Sequence, residues 1–113
     1  MSERDEAFDQ ANTHLAVGEL AEAEACYRQA VALDGNFFDG WHALGMTLMK
    51  QGKIKEAIGC GLQATHLKPN DLLAWTALSQ MYVQNEQIAE AENAKGNARI
   101  LSMGGKVVRE EAS

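Results

Sequence analysis

The chain has 113 residues, 46% of them hydrophobic, with a single proline (Pro69) and a net charge of −6. That is enough for one folded unit with a modest core, and the abundant alanine and scarce β-branched runs favour helix over strand and over disorder. The charge is uneven: residues 1–35 hold eight acids and two bases, residues 36–70 two acids and four bases, and residues 71–113 six acids and four bases. No basic patch of the kind that neutralises phosphates is present, which argues against a nucleic-acid partner.

No apolar run approaches the roughly 18–20 residues that span a bilayer, so no membrane role is expected. The start, MSERDEAFDQ, lacks the basic and apolar segments of a secretory signal. Read as the natural start, it predicts a cytoplasmic protein.

In chain order, the first predicted pair of helices is interrupted at Gly18. The second pair runs over roughly Asp39–Gln51 and Ile54–His66, with Gly52 between. Both glycines stand where a helix end favours a left-handed residue. In the third pair that position is Asn85-Glu86, with Asn85 the expected left-handed residue. The last helix is placed over roughly Ile88–Leu101. DGN (Asp34–Asn36) and KPN (Lys68–Asn70) join the pairs; proline ends one helix, and Asn and Asp near these joints can cap the next. Asp5 and Asp39, near helix starts, are read as caps as well.

The chain repeats itself at a spacing of 34. Ala23, Ala57 and Ala91 fall in one column, and Ala30, Ala64 and Ala98 in another. Trp41 falls over Trp75, Leu44 over Leu78, and Ala11, Gly45 and Ser79 form a column of small residues. Small side chains let helices approach, so Gly45 and Ser79 are expected to face Ala57 and Ala91. The tryptophans would fill the space between successive pairs. One pair cannot bury its apolar face alone; about three stacked units suffice.

The spacing Trp41, Leu44, Gly45, Ala57, Ala64, Pro69, echoed by Trp75, Leu78, Ser79, Ala91 and Ala98, resembles the tetratricopeptide repeat. The first unit is looser, with Ala7 in place of the tryptophan but Ala11, Gly18, Ala23, Tyr27 and Ala30 in register. The resemblance implies an all-α fold: a right-handed superhelical solenoid of three helix-turn-helix repeats, six helices in all, within 1–113. The repeats are approximately 4–37, 38–71 and 72–102, followed by a short tail, 103–113. Many family members add a capping helix; here only MGGKVVREEAS follows, so the last helix is expected to cap itself. Gly104-Gly105 frees the tail, whose apolar anchors are Val107 and Val108. It is left open between disorder, folding back, and docking on another copy.

The family places a large aromatic at Tyr27, but Gly61 and Lys95 stand at that position in the next units, and Gly59 is a second glycine inside the same helix. Either these glycines admit a partner, or packing explains them, for instance with the Trp75 ring filling the space.

Chemistry is sparse. His14, His42 and His66 have no partner at metal-ligand spacing; His14 falls at a packing position and is read as core, and His66 as a cation ending a helix. Cys26 and Cys60 occupy one repeat position, too far apart across stacked units for a disulfide, and are read as two free thiols. Phosphate-binding, nucleophile-elbow and zinc-protease patterns are absent. Neither catalysis nor a metal or other cofactor is expected.

The resemblance implies protein or peptide binding on a concave face lined by the first helix of each unit. Carried onto this sequence, those positions are Asp5, Phe8, Asn12 and Leu15; Asp39, His42, Met46 and Met49, with Lys50 at the edge; and Leu73, Thr76, Gln80 and Val83. Methionines give such a lining an adaptable surface, with burial between helices the competing reading for Phe8 and Met49. Family members that hold the acidic tails of heat-shock chaperones use a clamp of Lys, Asn, Asn, Lys and Arg. The matching positions here are Phe8, Asn12, Ala43, Leu73 and Ala77, and only Asn12 agrees. The expected partner is therefore an apolar or amphipathic protein segment, held by an adaptor or chaperone-like scaffold. The alternative is a self-associating assembly protein that uses its groove, exposed end or tail.

Overall fold

The computed structural model describes residues 2–107. Six helices follow one another: α1 (Glu3–Ala16), α2 (Leu20–Leu33), α3 (Phe38–Lys50), α4 (Ile54–Leu67), α5 (Leu72–Gln84) and α6 (Ile88–Ser102). Each packs on its chain neighbours, α3 also touches α5, and the molecule measures 35 × 29 × 26 Å. This is the expected all-α stack of three helical hairpins.

The 34-residue period is written into the hydrogen bonds. The amide of Glu19 donates to the His14 carbonyl, Lys53 to Leu48 and Gln87 to Tyr82, each at 2.9 Å. The residue before each donor is left-handed: Gly18 at φ +81°, Gly52 at +80° and Glu86 at +60°. In the third turn the left-handed residue is thus Glu86 rather than Asn85, whose side-chain amide donates to Gln87 Oε1 at 2.7 Å. The turn geometry demands a positive φ one residue after the helix cap, and a glutamate has to take it. The tryptophans repeat too: Trp41 Nε1 donates to the Gly35 carbonyl and Trp75 Nε1 to the Pro69 carbonyl, both at 2.8 Å.

Caps differ from expectation at two sites. The N-cap of α1 is Ser2, whose hydroxyl accepts from the Asp5 amide at 3.1 Å. Asp5 lies inside the first turn and pairs with Arg4, at 2.7 Å. The N-cap position of α3 is Phe37, without a side-chain cap, and Asp39 again falls in the first turn. Carboxylates there still favour the helix through its dipole. Asn36 caps nothing; its amide donates to Asp34 Oδ1 at 3.0 Å. Asp71 does cap α5, accepting from the Ala74 amide at 2.9 Å.

The core holds both alanine columns together with Tyr27, Leu44, Leu48, Leu78 and Met81. Ser79 Oγ donates to the Ala91 carbonyl at 3.0 Å, and a Cβ at Gly45 would stand 3.5 Å from the Ala57 carbonyl, so the small column does face the alanines. A Cβ at Gly61 would lie 3.0 Å from Leu78 Cδ1 and 3.1 Å from Met81 Sδ. These two side chains, not the Trp75 ring, occupy the space, while Gly59 opens to solvent. His14 is not core: it is half-buried, with Nδ1 3.0 Å from Glu19 Oε1 across the turn. Arg4 spans Asp5 and Asp34, and its guanidinium lies 4.3 Å above the Phe37 ring, tying the start of α1 to the loop before α3. The Val107 amide donates to Asn70 Oδ1 at 2.9 Å. Val108, the other proposed anchor, lies outside the described residues.

Candidate functional site

The lining residues inferred from sequence do not stay together. Phe8 is half-buried against the core, its ring 5.7 Å from Tyr27 and 5.0 Å from Phe37. Asn12 is exposed but accepts the Tyr27 hydroxyl through Oδ1. Leu15 and Met49 are half-buried against the core. Asp39 and Lys50 are exposed near opposite ends of α3.

His42, Met46, Leu73, Thr76 and Gln80 do converge. With Ala77 they line a cavity of about 210 Å³ between α3 and α5. Leu73 is 68% exposed, while Met46 reaches from this surface into the core cluster. His42 stacks on Phe38, with ring centroids 5.9 Å apart, and the Lys68 ammonium lies 4.6 Å above the other aromatic of that pair, Phe38. The surface is thus apolar at Leu73 and Met46 and edged by amide, hydroxyl and imidazole groups, a chemistry suited to side-chain recognition.

A second, larger cavity of about 430 Å³ lies between α5 and α6. Thr76, Gln80 and Val83 belong to it, joined by Ser79, Gln84, Glu92, Lys95 and Ala98. The α6 residues were not among those expected to line a site. The signal was present: Glu92 and Lys95, both exposed, stand at the repeat positions of Ile58 and Gly61, both buried.

Titration is perturbed at structural positions. Arg28, helped by Lys53 and Gln51, holds Glu24 at about 2 against the opposition of burial. Burial pushes the Cys60 thiol up to about 11, which leaves it a poor nucleophile. Cys26 and Cys60 are both free thiols. Among the described residues no group of three or more His, Cys, Asp or Glu could hold a metal ion, and no helix is long and apolar enough to cross a membrane.

Stacked helical hairpins with repeating turns and an open apolar face define a helical-repeat solenoid. The tetratricopeptide repeat model matches residues 8–71 and 42–101, and the chain belongs to that family. Among solved structures, a mutant of MamA superposes with a TM-score of 0.85 at 24% identity, covering 92% of this chain and 57% of that one. The chain therefore spans under two thirds of that relative. The second repeat domain of Spaghetti (RPAP3), bound to the HSP90 peptide SRMEEVD, gives 0.84 at 21% identity, covering 88% and 93%. The Yersinia enterocolitica type III secretion translocator chaperone SycD gives 0.82 at 17%, covering 88% and 76%. No curated protein sequence matches the chain.

Proposed function

We propose that the protein is a binding module, an adaptor or chaperone-like scaffold without catalytic activity, that holds a protein segment against the α3–α5 face. The observation that carries this reading is Leu73, 68% exposed beside Met46 and His42 at the mouth of a formed cavity. The fitting ligand is an amphipathic helix or an apolar peptide. An acidic chaperone tail fits poorly, because Phe8, Ala43, Leu73 and Ala77 occupy the positions where a carboxylate clamp needs cations and amides.

Leu73→Asp tests this directly. The position is exposed and in the first turn of α5, where an acid suits the helix. Binding of a labelled amphipathic helical peptide panel, read by fluorescence anisotropy, should fall at least tenfold while the thermal midpoint holds. Met46→Asp should also abolish binding, and its unfolding midpoint reports how far Met46 serves the core. Binding of an acidic-tail peptide in preference to the panel would defeat the reading. A self-associating assembly unit is the second reading, and it rests on a different surface, the exposed flank of α6.

A further inference from the structure

The flank of α6 at issue is one that α4 buries and α2 largely covers. Glu92, Lys95 and Arg99 stand at the repeat positions of Ile58, Gly61 and Thr65 on α4, all buried, and of Glu24, Tyr27 and Val31 on α2. On α6 these positions are exposed. The flank continues to Ile88, 57% exposed, and Met103, 72% exposed. At 3.6 residues per turn, all five side chains leave the helix within a sector of about 80°.

Their order is self-complementary. Ile88 and Met103 are equidistant from the bond between Lys95 and Gly96, and so are Glu92 and Arg99. Two copies of α6 laid antiparallel about a two-fold axis at that bond would therefore match Ile88 with Met103 and Glu92 with Arg99, twice over. Lys95 would lie opposite Gly96, which has no side chain to obstruct it, and one turn from Glu92 of the second copy. None of Glu92, Lys95 and Arg99 forms an ion pair among the described residues. Antiparallel is also how α5 lies against α4, so the second copy would take the seat that a following helix takes in the earlier units. Val83, 53% exposed, and the 430 Å³ cavity border this seat.

We propose that a second copy of this chain docks on the open α5–α6 face, forming a closed two-fold dimer through antiparallel α6 helices. Closure follows because the same patch serves both copies, so the contact ends at two. The seat shares Thr76 and Gln80 with the Leu73 surface but none of Leu73, Met46 and His42, so the dimer does not depend on what those three side chains hold.

The test is solution mass of the full chain, by sedimentation equilibrium from micromolar to millimolar concentration. A monomer–dimer equilibrium with no larger species is expected. Arg99→Glu and Glu92→Arg each place like charges in contact and should weaken the dimer at least tenfold. An equimolar mixture of the two variants should dimerise again, since every arginine then meets a glutamate. Because both side chains are exposed, each variant should keep the wild-type circular dichroism. A monomer at all concentrations, a ladder of species beyond the dimer, a dimer indifferent to both changes, or a mixture that stays monomeric would each overturn the proposal.

Discussion

The two junctions between successive units solve one packing problem from opposite sides. At the first, the second helix supplies the bulk: Tyr27 is fully buried, rings with Phe8, and bonds Asn12. At the second, the same repeat position is Gly61, and Leu78 and Met81 of the following unit supply the bulk. The position of Met81 is held in the preceding unit by Thr47, also fully buried. Tyrosine accompanies threonine, and glycine accompanies methionine. The repeat thus constrains the volume filled at a junction, not the residue that fills it.

The junctions differ in charge as well. Glu24 of α2 accepts from Gln51 Nε2 at 2.8 Å and Lys53 Nζ at 3.0 Å, and Arg28 bridges Glu24 and Glu56. The repeat positions of Glu24 and Lys53 at the second junction hold Ile58 and Gln87. One junction is tied by ions and an aromatic ring; at the other, Leu78 and Met81 pack against Gly61.

Breaking the first junction should have the largest effect. Tyr27→Ala removes its ring and orphans Asn12, and should cost about 3–5 kcal/mol in urea unfolding. Gly61→Tyr imposes the first junction's tyrosine on the second, where Leu78 and Met81 already fill the space, and should cost about 1–3 kcal/mol. Adding Met81→Thr, which reproduces the first junction's pairing, should recover part of that loss; no recovery would mean the two junctions are not alternative solutions. Glu24→Gln should be smallest, roughly 1–2 kcal/mol at neutral pH for a carboxylate hydrogen-bonded to charged groups but touched by solvent. Its sign follows from a folded pKa of about 2 against an ordinary value of 4.5. The contribution is complete above the unfolded value and is lost as pH falls through the interval between the two. The wild type should therefore lose more stability than Glu24→Gln between neutral pH and pH ~2, measured by thermal midpoints.

The helices and their period were legible because periodicity accumulates over many residues. Every helix boundary placed from sequence falls within a residue or so of the observed one, and Gly18 and Gly52 adopt the expected left-handed turn. What was not legible depends on single residues or distant partners. Ser2 rather than Asp5 caps α1, because a cap is decided by where the first turn begins, and several polar residues there were equally plausible. Phe8 turns toward Tyr27 and Phe37, a residue of the loop before α3, a cluster no local pattern announces. Of the proposed lining, only the part whose neighbours also sit on α3 and α5 converged. The α6 flank was missed because its side chains look like an ordinary solvated helix face. It stands out only when compared with the buried positions one and two repeats earlier.

Cys60 gives this asymmetry between junctions a clock. Its Cβ lies 3.3 Å from where a Cβ on Gly45 would stand, inside the contact between α3 and α4 and close to Met81. Cys26, one repeat earlier, is only half-buried. A thiol reagent would thus meet one cysteine in the closed molecule and the other only when the packing around Gly45 parts. The lag between the two modifications measures how often the stack breathes there, in the native protein and without denaturant.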